Sequence, residues 1–203
     1  MTAKVLVTAG ASGIGLEIVR AFVGSGATVY TCDIDSSALD AAASEMPGLH
    51  IGRCDIGKRS EIDLMVAQAG RTRGGIDVLV NNAGIGGPTK PVQDIDPDDW
   101  DAVLRIDLTG TFDVTRNAIP YLIRSDKGSI INMSSAAAAL DIRTVPPMLL
   151  QNGRSSDLQR HSRWSLANSM CARTRSRRAR WMENVSKRFS EGGRKRPVNP
   201  SNM

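Results

Sequence analysis

The stretch Thr8-Ala9-Gly10-Ala11-Ser12-Gly13-Ile14-Gly15 follows an apolar run, Val5-Leu6-Val7, and opens an apolar series at helical spacing through Ile14, Ile18, Val19 and Phe22. The order is therefore strand, glycine turn, helix. Glycines allow a tight turn and a close backbone approach, and the unpaired N–H groups of the first helical turn face whatever anion lies there. Such a turn cradles a diphosphate. Gly10, Gly13 and Gly15, with Ser12 and Ile14 between them, are the candidate diphosphate-binding residues.

Outward from this turn, strands and helices alternate. Residues 4–8 read as a buried strand and 13–24 as a helix. Ala27-Thr28-Val29-Tyr30-Thr31-Cys32 reads as a second strand, with Asp33 at its end. A carboxylate there can accept hydrogen bonds from both ribose hydroxyls of an adenosine and would repel a 2′-phosphate, so it favours NAD over NADP. The other role for an acid at this place is to cap the next helix, since Asp35 and Ser36 precede the helical pattern 37–46. Leu49–Asp55 reads as a third strand, in which His50 is a partly exposed strand residue. A helix spans 59–72, and Ile76–Val80 is a fourth strand running into Asn81-Asn82-Ala83-Gly84. A Gly/Pro-rich loop covers 86–97. Pro97-Asp98-Asp99-Trp100 opens a helix, and a longer one runs from about Leu108 to Ile123. Gly128–Ser135 is a fifth strand that ends in hydroxyls. Strands separated by helices predict an α/β, Rossmann-like, doubly wound parallel sheet with ligands at the carboxyl ends of its strands.

Bulk properties narrow the function. The chain has 203 residues, enough for one real core. No stretch is long and apolar enough to span a membrane. The first strand starts almost at Met1, which leaves no room for a signal peptide. Cys32, Cys54 and Cys171 show no metal spacing, so no metal site is expected, and a reduced, cytoplasmic setting is the simplest reading. The net charge of +5 hides a division. Residues 1–147 hold 13 Lys+Arg against 18 Asp+Glu, net −5, while residues 148–203 hold 13 against 3, net +10.

The motifs Thr8–Gly15, Asp55, Asn81–Gly84 and Ile131–Ser135, in this order, resemble the short-chain dehydrogenase/reductase family over residues 4 to about 147. The resemblance implies hydride transfer between a nicotinamide and a small-molecule secondary alcohol or ketone. It implies that Gly10, Gly13 and Gly15 hold the diphosphate and that Asp33 selects NAD. Asp55 and Ile56 would border the adenine, and Asn82, Ala83 and Gly84 would support the sheet and the nicotinamide ribose. Ser135 would be the catalytic serine. Where the family carries an asparagine that helps hold a water of the proton relay, this chain has Asp107, which when ionised offers acceptors but no N–H donor. About thirteen residues beyond the serine the family has tyrosine, three residues, then lysine, the tyrosine being the general acid/base. Here those places are Met148 and Asn152, and no tyrosine follows Tyr121. The chemistry is therefore expected to be impaired, because general acid/base catalysis needs a titratable group within reach.

From Met148 the composition changes. Residues 148–203 contain no Ile or Tyr, and their only valines are Val185 and Val198. Strands six and seven should not read this way. Two domains follow: a dinucleotide-binding unit, 1–147, and a basic tail, 148–203, read as disordered. A one-base shift of reading frame near Pro147 accounts for the change. Each shifted codon takes the last base of one written codon and the first two of the next. Pro147/Met148 then permits tyrosine, the next three junctions permit alanine, alanine and serine, and Gln151/Asn152 permits only lysine or glutamate. The same frame, from Met170 to Glu183, permits Val-Arg-Ala-Asn-Ala-Ile-Ser-Pro-Gly-x-Val-Asp-Gly, in which the first valine, the aspartate and the last glycine are forced by Met and Trp codons. It resembles the family's segment around strand six. The lost region would also supply the usual subunit contacts, so the oligomer interface is expected to be lost. The run Arg173–Arg180 could bind a polyanion by charge alone, but an out-of-frame, GC-rich gene writes arginines without selection. No specific nucleic-acid partner is expected. The remaining alternative is a dinucleotide-binding remnant without turnover.

Overall fold

A computed structural model of the chain describes residues 2–72 and 74–134. Strand β1 (Lys4–Thr8) leads into helix α1 (Gly13–Gly24), β2 (Thr28–Asp33), α2 (Ser36–Glu45), β3 (His50–Arg53), α3 (Arg59–Thr72) and β4 (Val78–Asn81). After a single 3₁₀ turn at Val92–Asp94 come α4 (Pro97–Val103), a π-helical segment (Leu104–Gly110), α5 (Thr111–Leu122) and β5 (Ser129–Asn132).

All pairings are parallel, and the strand order is β3-β2-β1-β4-β5. The chain moves outward from β1 to β3, then returns to the other side of β1 for β4. The reversal between β1 and β4 opens a crevice at the carboxyl edge of the sheet, where open α/β sheets bind ligands. Both faces of the sheet are covered. Leu6 and Leu79, adjacent in register and fully buried, face the cluster of Ile62, Met65, Val66, Val114 and Leu122 from α3 and α5. Val5, Val7 and Val80 cluster with Val19 from α1, Ala42 from α2 and Met46 just after it. This two-sided burial explains why the strands read as apolar runs rather than as alternation.

The helix boundaries follow local chemistry. Asp35 caps α2, its Oδ1 accepting from the backbone N–H of Ser37 at 2.9 Å and of Ala38 at 3.1 Å. Asp33 is thereby left at the end of β2. At α4, Asp96 accepts from Asp98 N–H at 2.9 Å, with Pro97 in the first turn.

The sequence pattern separates a helix opening at Pro97 from one beginning near Leu108. The structure joins them instead, because the π-helical turn absorbs one extra residue without breaking the run from Pro97 to Leu122. The fifth strand is shorter than its apolar pattern, Ser129–Asn132 rather than Gly128–Ser135, and is the last strand on its side of the described sheet. Ile131 is 38 % exposed there. Among the described residues no helix is long and apolar enough to cross a membrane, and no group of His, Cys, Asp and Glu could hold a metal.

Candidate functional site

The site grows from the end of β1. Thr8, 1 % exposed, turns its hydroxyl toward β4. Its Oγ1 accepts from the backbone N–H of Asn82 and of Ala83, both at 3.0 Å, and lies 3.5 Å from the Val80 carbonyl to which it donates. Asn82 completes the tie: its Nδ2 donates to the carbonyls of Thr8 at 3.1 Å and Ala9 at 2.9 Å. The β4 end is thus stitched to the start of the glycine turn.

Ala9 sits at φ 51°, a left-handed conformation unusual for alanine, and Asn82 holds its carbonyl in place. A methyl group on Gly15 would overlap that carbonyl and stand 2.5 Å from Asn82 Nδ2. One on Gly10 would overlap Thr31 Oγ1, whose hydroxyl donates to the Val7 carbonyl at 3.0 Å. Gly13 has open space around it but takes φ +51°. Two glycines are therefore required by crowding and one by backbone angle.

Helix α1 starts at this turn with no acid in its first turn, and the Ser12 side chain does not cap it. The leading N–H groups of such an end have no intrahelical partner, and the helix dipole adds partial positive charge there. Ile14, beside them, is 67 % exposed. A cradle without room for side chains, with no side-chain cap and no acid in the first turn of α1, fits the diphosphate of a dinucleotide.

Asp33, Asp55 and Ile56 stand on the β2 and β3 side of the turn. Asp33 reaches across to the turn: its Oδ2 accepts from Ala11 N–H at 3.2 Å and its Oδ1 from Asp35 N–H at 3.2 Å. Asp55 accepts from Gly57 N–H at 2.8 Å, and Ile56 behind it is 9 % exposed. A cleft of about 270 Å³ beside Ile56 reaches Arg59, Arg105 and Asp113. Asp113 is buried there and paired with Arg59 at 2.8 Å.

On the far side of the turn lie Ala83, Gly84 and Asp107. The Asp107 Oδ1 accepts from Ile85 N–H at 2.8 Å, and a methyl on Gly84 would stand 3.3 Å from the same oxygen. Partial burial raises its pKa to about 6, and the Ile85 N–H opposes the shift. Because the folded value lies above the ordinary carboxylate value, ionising Asp107 costs stability as pH rises through about 6; below about 4 both states are protonated and the cost vanishes. The isosteric Asp107→Asn keeps the acceptor and removes the charge. It is expected to stabilise the fold by about 1 kcal/mol at pH 8, after discounting for solvent access, and by nothing at pH 4. Thermal melts at the two pH values check this.

Ser135, the expected catalytic serine, lies outside the described residues, as do Met148, Asn152 and the tail. The residues to which sequence reasoning gave no role of their own are Thr8, Thr31 and Asn81. Asn81, 5 % exposed, donates to Thr115 Oγ1 at 3.0 Å and to Asn132 Oδ1 at 2.7 Å, joining β4 to α5 and β5. The signal available was a polar residue inside an otherwise apolar strand, which needs a buried partner.

These features define a dinucleotide-binding α/β unit with its crevice between β1 and β4. The sequence profile of the short chain dehydrogenase family matches residues 3–147. The chain belongs to that family, the short-chain dehydrogenases/reductases, whose members here are oxidoreductases. It is 36 % identical over 149 residues to L-fucose dehydrogenase of Bos taurus, covering 73 % of this chain and 55 % of that protein. It is 41 % identical over 135 residues to 3-oxoacyl-(acyl-carrier-protein) reductase FabG of Thermotoga maritima, covering 64 % of this chain and 54 % of that one. The chain spans about half the length of the curated relatives it matches. Among solved structures, a Phe→Trp variant of actinorhodin polyketide ketoreductase with NADPH superposes with a TM-score of 0.77 at 27 % identity, covering 83 % of this chain and 67 % of that one.

Proposed function

We propose that the chain is built as an NAD-dependent oxidoreductase acting between a secondary alcohol and a ketone, and that the written polypeptide is catalytically impaired. The glycine turn and the first turn of α1 would hold the diphosphate through Gly10, Ser12, Gly13, Ile14 and Gly15. Asp55 and Ile56 would border the adenine, and Asn82, Ala83 and Gly84 the nicotinamide ribose. When bound, the nicotinamide supplies or accepts a hydride. The protein's own part is to orient it at the carboxyl edge of the sheet and to present Ser135 to the substrate oxygen. The buried free thiols of Cys32 and Cys54 fit a reducing compartment such as the cytoplasm.

The observation that supports NAD is the Asp33 carboxylate held beside the glycine turn by Ala11 N–H. A 2′-phosphate placed there would meet a negative charge at close range. NADH is expected to bind at least tenfold more tightly than NADPH, and Asp33→Ala to erase most of that preference. Fluorescence titration with each nucleotide checks it; tighter NADPH binding by the unaltered chain would overturn it.

A second reading is supported by where the family match stops. It ends at residue 147, immediately before Met148, where the tyrosine should stand. The polypeptide then holds the dinucleotide without turning it over. Nucleotide binding with no turnover of any carbonyl substrate would favour this reading. We attribute the missing tyrosine and lysine to a one-base shift of frame near Pro147.

A further inference from the structure

We infer that Asp107 sets a preference for the oxidised over the reduced form of the nicotinamide cofactor, by fixing a negative charge behind Gly84 on the β4 side of the crevice. The inference rests on the dinucleotide-binding reading above. With the diphosphate at the glycine turn and one ribose at Asp33 on the β2 side, the second nucleoside has only the β4 side of the crevice to occupy. Asn82 ties that side to Ala9, so Gly84 and the turn belong to one rigid edge. Asp107 stands directly against Gly84 and is held there by the Ile85 N–H.

Among the described residues Asp107 makes no ion pair. Arg105, two residues earlier, packs instead beside Gly57, 3.3 Å from where a methyl group would stand. Asp113, one and a half turns later, is paired with Arg59 and Arg116. The strand end and loop packed against Asp107, Asn82 to Ile85, carry no titratable side chain. Among the described residues, Asn132, Met133 and Ser134 at the end of β5 likewise carry no titratable side chain.

The two cofactor forms differ by one positive charge, on the nicotinamide ring, and share every other group. A carboxylate on the ring's side of the crevice therefore favours the oxidised form, and a neutral side chain does not discriminate. The raised pKa of Asp107 makes the preference titratable: protonation removes it, and binding of the oxidised form draws the carboxyl back toward ionisation. An asparagine, which the family places here, would keep the hydrogen bond from Ile85 and lose this effect.

The test is calorimetric titration of the full chain with NAD⁺ and with NADH at pH 8 and pH 5, for the native sequence and Asp107→Asn. The ratio of the two affinities is expected to shift toward NADH by about fivefold in the variant at pH 8, the size of a single charge acting through a partly solvated site. The native chain is expected to show a like shift between pH 8 and pH 5, and the variant none. An unchanged ratio in the variant, with both nucleotides bound, overturns the role of Asp107 and leaves the dinucleotide site standing. If neither nucleotide binds the native chain, the dinucleotide reading fails and takes this inference with it. The native pH series needs no substitution, so it decides the matter even if the variant misfolds.

Discussion

Gly15→Ala is expected to abolish dinucleotide binding, with an affinity loss of at least 100-fold, and to destabilise the fold by about 3 kcal/mol. The added methyl overlaps the Ala9 carbonyl and presses on Asn82 Nδ2. Neither is a flexible side-chain tip. The Ala9 carbonyl is backbone already held in a left-handed conformation, and Asn82 is fixed by its hydrogen bonds to Thr8 and Ala9. Relief requires moving either α1 away from the sheet or the turn out of register. The first exposes Val19, which is fully buried against Val5 and Val7. The second breaks the bonds that seat the diphosphate cradle. Gly13→Ala is the internal control. Nothing lies within 4 Å of its added methyl, so only the positive φ opposes it, at about 1 kcal/mol. Urea denaturation of the two variants should separate them by roughly 2 kcal/mol. Equal costs would mean that the Ala9–Gly15 crowding is not what shapes the turn.

Restoring the reading frame carries the largest expected effect on chemistry. Inserting one base at the codon for Pro147 is expected to write a tyrosine and, four residues later, a lysine, and to raise turnover of secondary alcohols by a factor of about 100 to 10,000 over the present chain. The reason is specific to the site. On the proposed reading these residues would supply binding and orientation, but among the described residues the titratable group against Gly84 is Asp107, whose pKa of about 6 and acceptance of the Ile85 N–H do not make it a phenol's equivalent. The restored chain also gains apolar sequence able to pair beyond β5. Absorbance of NADH during incubation with a panel of secondary alcohols reads the gain. Sequencing the codons for Val145 to Asn152 reads its premise. Codons at the junction incompatible with tyrosine and lysine would defeat the frameshift and leave the arginine-rich tail to be explained as a selected feature.

Much of this was legible because it is local. An apolar run before Gly10 and helical spacing after Gly15 suffice to place β1, the turn and α1, since both depend on near neighbours along the chain. The same holds for α3, whose predicted and observed limits coincide at 59–72, and for Asp96-Pro97, a cap and a first-turn proline side by side. Asp33 was legible as a strand-end acid, with the capping role open. The structure assigns that cap to Asp35.

The sequence by itself determined the alternation of strands and helices, the glycine turn, the acidic residue at the end of β2 and the break in character at Met148. Tertiary structure alone decided that Asn82 grips Ala9, that Thr8 anchors β4, that α4 and α5 fuse through a π-helical turn, and that Asp107 is half buried behind Gly84. The physical reason is range. Spacing along a chain reports which side chains share a face. The cost of a charge or the need for a glycine depends on atoms from segments some seventy residues away, as Asn82 is from Ala9.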